Sequence, residues 1–118
     1  MPPTLLPLTP AVFHILLALA GQERHGYGIM QEVAALTEGT LRLGPGTLYG
    51  TLKRLVSAGL VEESDARPDA DLDDERRRYY RLTERGRHIA AEEARRLENL
   101  VNVARTRRLL GVSREVQP

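Results

Sequence analysis

Cysteine and tryptophan are absent from this sequence, and one phenylalanine, four tyrosines and three histidines supply all of its aromatic rings. Without cysteine there is no disulfide framework, no thiolate metal site and no sulfur nucleophile, as suits a reducing interior. His14, His25 and His88 are scattered and lack metal-ligand spacing. No glycine-rich phosphate loop follows a strand, and no acid and base are placed to converge on a pocket, so neither an enzyme nor a cofactor is expected. No apolar run is long enough to span a bilayer. Residues 11–20 are apolar and end Ala18-Leu19-Ala20-Gly21, in the manner of a signal-peptide cleavage site. No Lys or Arg precedes them, however, and prolines stand at positions 2, 3, 7 and 10. The expectation is a buried helix in a cytoplasmic protein with no membrane partner.

What is present is a chain of 118 residues, 42% apolar, enough for one domain with a modest core. Its net charge of +1 hides a segregation. Residues 1–60 are nearly neutral, residues 61–75 carry eight acids against Arg67 alone, and residues 76–118 carry twelve arginines against five glutamates. An acidic block is followed directly by a basic one.

Thr9-Pro10 predicts a helix start, with Thr9 as N-cap and Pro10 in the first turn. The helix over residues 11–20 is apolar on nearly every side, so it needs cover on more than one face, part of it from a second copy. Gly21 closes it. His25-Gly26-Tyr27-Gly28 opens a second helix running to about Leu36, and Leu41-Arg42-Leu43 reads as extended. The Gly44-Pro45-Gly46 turn then launches a third helix, which Gly59 ends in a left-handed C-cap. On that helix Leu48, Leu52, Leu55 and Val56 form the inward stripe. Gly46, Thr47, Gly50, Lys53, Arg54 and Ser57 face outward with no carboxylate among them, and Tyr49 lies on the flank. Taken alone it reads better as an ordinary amphipathic surface helix; after two short helices and a tight turn it reads as a recognition helix for the DNA major groove.

Residues 60–63 and 76–82 predict two strands joined by an acidic loop. The fold class is therefore mainly α with a two-stranded wing (α+β), a winged helix-turn-helix. Thr83 caps a final helix expected to reach about Leu110, before Gly111. Along it Ala90, Ala94, Leu97, Val101 and Ala104 recur at heptad spacing, widened by Ile89 and Leu100. In so small a protein a homodimer is the economical way to bury such a seam, the alternative being packing on its own domain. The expected organisation is a DNA-binding domain over residues 8–82, a dimerisation helix over 83–110, and flexible termini at 1–7 and 111–118.

His25-Gly26-Tyr27-Gly28-Ile29, Gly46-Thr47-Leu48-Tyr49 leading to Gly59-Leu60, and Tyr79-Tyr80-Arg81-Leu82-Thr83-Glu84-Arg85-Gly86 occur in the order and spacing of one family. Through them, over roughly residues 8–107, the chain resembles the PadR family of transcriptional regulators, in the short subgroup with a single C-terminal dimerisation helix. The resemblance implies a prokaryotic cytoplasmic homodimer that binds double-stranded DNA at a pseudo-palindromic operator. It also implies a repressor of nearby detoxification or efflux genes that releases DNA when an effector binds. The last helix is implied to pack on the partner's first helix through Phe13, Leu16 and Leu17. Two departures stand out: Gly50 replaces a frequent proline, and the loop carries Asp65, Asp69, Asp71, Asp73, Asp74 and Glu75, which suit no phosphate contact and lack the order of a calcium loop.

Candidate phosphate ligands are Arg42, Arg54, Arg76, Arg77 and Arg78, with the hydroxyls of Tyr27 and Thr47. The resemblance places Tyr27 and Tyr49 at the DNA-facing surface, and Gly46 and Gly50 allow close approach. Lys53 is the candidate base-edge contact, to guanine O6 or N7. Phe13, Leu16, Leu17, Leu97 and Val101 read first as dimer core, and second as an aliphatic cavity for an apolar effector. The rival functional reading is a winged-helix module whose acidic loop docks a basic protein.

Overall fold

The computed structural model describes residues 6–64 and 78–111. Helix α1 spans Pro10–Gly21, and the Thr9 hydroxyl accepts the Val12 N–H at 3.2 Å, so the chain starts its first helix where the Thr-Pro pair dictates. Ile15, Leu16, Ala18 and Leu19 are buried, while Leu17 remains 39% exposed on the uncovered side. His14, the one polar side chain of this helix, is satisfied internally through its Nδ1 and the Pro10 carbonyl, 2.7 Å apart.

A two-residue strand, β1 (Arg24–His25), follows. It pairs antiparallel with β3 (Tyr79–Leu82), which in turn pairs with β2 (Val61–Ser64), giving the sheet order β1-β3-β2. The wing is thus a three-stranded sheet stitched to the helices, since β1 is the link between α1 and α2. Two polar residues carry no alternation, which is why the sequence predicts only β2 and β3. Arg24 anchors the link: its Nε donates to the Ala18 carbonyl at 2.9 Å, near the electronegative end of α1.

Helix α2 (Gly26–Leu36) is capped by His25, whose Nδ1 accepts the Gly28 N–H at 3.0 Å. The connection to α3 (Pro45–Ser57) is held by Thr37, whose hydroxyl donates to the Val33 carbonyl and accepts the Leu41 N–H. Leu48, Thr51, Leu52 and Leu55 are the buried positions of α3, so Thr51 replaces Val56 in the expected stripe. Val56 lies one residue beyond Leu55, rotated about 100° onto the flank that faces the wing. At the far end Gly59 adopts φ +80°, and the N–H groups of Gly59 and Leu60 bond the carbonyls of Val56 and Leu55. That is a Schellman motif, with glycine where the left-handed residue belongs.

Helix α4 (Glu84–Thr106) has 23 residues and is about 34 Å long. Thr83 caps it, accepting the Gly86 N–H at 2.9 Å and donating to the Gly59 carbonyl at 2.6 Å. Gly86, Ala90 and Glu93 are its buried residues, so its first turns belong to the core of the winged helix. Beyond them Leu100, Val101 and Val103 face solvent. The helix stops short of the expected Leu110. Arg108 takes φ +64°, and the Leu109 N–H turns back to the Ala104 carbonyl.

Glu93 is only 2% exposed yet charged, and it ties the N-terminal segment to α4. Its carboxylate accepts two bonds from the Arg96 guanidinium, at 2.7 and 2.9 Å, and the Leu8 N–H at 3.2 Å. The Arg96 hydrogen bonds, then its charge and the Leu8 N–H, hold the carboxyl below its ordinary 4.5, against the opposing effect of burial. Because the folded value lies below the unfolded one, the stabilisation is complete above about pH 4.5 and is lost as pH falls through the folded value. Glu93→Gln is therefore expected to be less stable than the parent at pH 7, with the difference closing at lower pH. Urea titrations of both proteins at pH 7 and at about pH 3.5 measure this; an equal gap at both pH values contradicts it.

Candidate nucleic-acid interface

Helices α2 and α3 meet through their termini. Tyr49, half-buried on α3, lays its ring edge and hydroxyl against Gly26 at the start of α2. A Cβ at Gly26 would overlap the Tyr49 hydroxyl and stand 2.6 Å from its Cζ, so only glycine admits the ring. The Tyr49 hydroxyl is turned toward α2, so the residue also acts as a joint between the two helices. Tyr27, by contrast, is 58% exposed. The His25 ring stacks on it with centroids 6.5 Å apart, and meets Tyr79 of β3 edge-on at 5.3 Å. Sequence reasoning gave His25 no role; its place before a helix start was the signal for the cap, but the contact with Tyr79 needs the sheet.

The first turns of α3 present Gly46 and Thr47 to solvent, with Gly50 partly covered. A Cβ on Gly46 would meet nothing within 4 Å, and one on Gly50 only the Arg54 guanidinium, at 3.9 Å. Neither glycine is required by the fold of the free protomer. Gly50→Ala is expected to stabilise the protomer by about 1 kcal/mol, the helix-propensity difference. It is also expected to weaken duplex binding, because the methyl group occupies the line of approach. Thermal denaturation and a DNA titration of the variant check both signs; a more stable variant that binds as well leaves Gly50 without a role at the duplex.

The cations divide into two groups. Arg42, Lys53 and Arg54 are exposed and have no carboxylate partner among the described residues. Arg54 donates to the Thr51 hydroxyl at 3.2 Å, and the Arg42 guanidinium lies over Gly39. At the wing the arginines are matched with acids. Arg78 donates to Glu63 at 3.1 Å; Arg81 donates to Glu62 at 2.8 Å and lies 3.8 Å from Glu23. Arg76 and Arg77 lie outside the described residues, as does the acidic loop from Asp65 to Glu75. A cleft of about 520 Å³ separates α3 from the wing, with Lys53 and Val56 on one wall and Glu63, Arg78 and Tyr80 on the other. Lys53 therefore points along the wing-facing flank of α3.

The expected dimer surface is reduced by two residues. Leu16 is wholly buried and Ala90 is 8% exposed, both in the protomer's own core, so neither is available to a partner or to an effector cavity. Leu17, Ala94 and Val101 are exposed, and Phe13, Leu97 and Ala104 are half-buried. Leu100 and Val103 extend that apolar surface. Among the described residues there is no cluster of acids and histidines that could hold a metal, and no helix long and apolar enough to cross a membrane.

The same architecture recurs in known proteins. Residues 15–92 match the model of the transcriptional regulator PadR-like family. The transcriptional regulator Rv3488 of Mycobacterium tuberculosis is 42% identical over 87 residues, covering 74% of this chain and 75% of that protein. A PadR family transcription regulator from Clostridium difficile shares the fold with a TM-score of 0.67, at 24% identity over 83% of this chain and 97% of that one. Bacillus subtilis PadR, solved in complex with operator DNA, superposes with a TM-score of 0.61 at 21% identity, over 73% of this chain and 47% of that chain. By sequence and by architecture alike, this chain belongs to the PadR-like family of transcriptional regulators.

Proposed function

We propose that two copies of this chain associate through the exposed apolar side of α4, with Leu17 and Phe13 of α1, and bind double-stranded DNA at a pseudo-palindromic operator. In this reading residues 8–82 form the DNA-binding unit and residues 83–110 the dimerisation unit, the first turns of α4 being shared between them. The protein acts in a prokaryotic cytoplasm as a ligand-responsive repressor of neighbouring detoxification or efflux genes. The family supports that assignment, and an effector would be small and apolar.

One observation carries the DNA reading: among the described residues Arg42, Lys53 and Arg54 have no carboxylate partner, and the Gly46–Thr47 turn that opens the same helix as Lys53 and Arg54 is exposed. Unpaired cations are free to replace condensed counterions on a duplex, and bare backbone permits the approach. Tyr27 and Thr47 add hydroxyl donors, and Arg76 to Arg78 add the base of the wing. Paired recognition helices in a symmetric dimer require half-sites about one helical turn apart, or a multiple of it.

The test is a titration against the promoter DNA of the protein's own operon at two salt concentrations, with sedimentation to measure mass. Lys53 is the only lysine in the chain, so acylation of its amine reports its environment directly. Dimeric mass, salt-dependent binding and protection of Lys53 by DNA are the expected results. A dimer with no affinity for any duplex points instead to a protein-binding winged helix.

A further inference from the structure

We infer that Glu63 is a selectivity-determining residue, whose carboxylate holds Arg78 back from DNA phosphates in sequence-independent complexes and so lowers affinity for non-operator DNA. The inference rests on the DNA-binding reading above. Arg78 Nη1 donates to both Glu63 oxygens, at 3.1 and 3.4 Å, with the two side chains 43% and 46% exposed. An ion pair so open to water is weakly stabilising and exchanges partners readily. Glu63 therefore does little for the fold, which leaves its effect on Arg78 as the consequence that matters. A second pair lies on the other face of the strands, where Glu62 stands directly opposite Arg81 and accepts its Nε–H at 2.8 Å. On α3, by contrast, Lys53 and Arg54 carry no acid among the described residues.

The contrast has a physical consequence. Binding without sequence preference comes almost entirely from phosphate electrostatics, so the two described wing arginines, Arg78 and Arg81, add little to it while they are paired with acids. Operator binding includes the contacts of α3 in the groove, which the wing carboxylates leave untouched. Arg78 and Glu63 form one wall of the cleft whose other wall includes Lys53. When α3 is seated, the duplex backbone comes to that cleft, and a phosphate beside Arg78 displaces the Glu63 carboxylate. The arginine is released by correct docking and withheld otherwise.

Fluorescence anisotropy with a random-sequence duplex, across a salt series, tests this with wild type, Glu63→Gln, Arg78→Ala and the double variant. Circular dichroism verifies that each is folded. Glu63→Gln is expected to raise affinity for the random duplex by roughly five- to tenfold at 0.1 M salt and to steepen the salt slope by about 0.9 per subunit. In the Arg78→Ala background the same substitution is expected to change little. Wild-type binding with an unchanged Glu63→Gln variant overturns the inference alone, and so does an equal gain in both backgrounds, which is a general effect of charge. Failure of every variant to bind any duplex overturns the DNA-binding reading and takes the inference with it.

Discussion

Gly86→Ala is expected to destabilise the protomer by about 3 kcal/mol or more, although alanine is ordinarily the better helix former by about 1 kcal/mol. The reversal of sign comes from one contact. A Cβ at residue 86 would overlap the Leu60 carbonyl oxygen and stand 2.9 Å from its carbon. Neither atom is the end of a flexible side chain. That carbonyl accepts the Thr83 N–H at 3.1 Å, and it follows Gly59, whose own carbonyl accepts the Thr83 hydroxyl. Relieving the overlap means moving the end of α3, the start of α4, or both, with loss of these bonds. A domain of this size is stable by only about 5–15 kcal/mol, so the variant should melt well below the parent, by roughly 10 °C or more. Urea and thermal denaturation by circular dichroism measure it, and a melting temperature equal to or above the parent's shows that the seat is softer than its geometry.

This contact also fixes direction. The seam-bearing half of α4 is a rigid continuation of turns that are locked to the end of α3. A dimer formed through that seam holds two recognition helices at one separation. Milder substitutions at this seat that leave the fold intact therefore disturb operator spacing before they disturb the duplex surface.

Val101→Glu is the second large effect. In the protomer Val101 is exposed, with Leu100 beside it and Leu97 one turn before, so a carboxylate there costs the isolated chain little. At a two-fold seam the same change brings two like charges into an apolar contact, which is strongly unfavourable without partners. The variant should sediment as a folded monomer at micromolar concentration. Its operator affinity should fall by about 10²-fold or more, because binding two half-sites through one particle multiplies affinity by roughly 10²–10⁴ over a single half-site. Sedimentation, far-ultraviolet circular dichroism and a gel-shift titration read the three quantities. A variant that remains dimeric places the interface elsewhere on the molecule.

Much of the fold was legible because its signals are local. Thr9 and Thr83 cap helices through bonds to N–H groups three residues away, and Gly59 takes the left-handed turn that ends α3. Such bonds need no knowledge of the rest of the chain. The inward stripe of α3 was nearly right, with Thr51 in place of Val56, because periodicity locates a face only to within a residue. The end of α4 was placed too late because Arg108, not Gly111, adopts the left-handed turn. Strand β1 was invisible, since two polar residues become a strand only when β3 is there to pair with them.

The candidate site was legible in residue type and much less so in role. Outward glycines and cations on α3 are where the sequence puts them. Glycines look alike on paper, yet Cβ atoms at Gly26 and Gly86 would overlap other chain segments, while one at Gly46 would meet nothing and one at Gly50 only the Arg54 guanidinium. Arg54 and Arg78 likewise look equivalent, and only one of them has a carboxylate across the strand pair.

By itself, then, the sequence determined where helices begin, which of their faces turn inward, and that a basic helix follows a tight glycine turn. These depend on interactions within one or two turns of backbone. Tertiary structure alone decided which glycines are obligatory, which cations are free, and that Leu16 belongs to the core while Leu17 does not. Each of those depends on atoms brought close by the fold from distant parts of the chain, and short-range pattern carries no record of them.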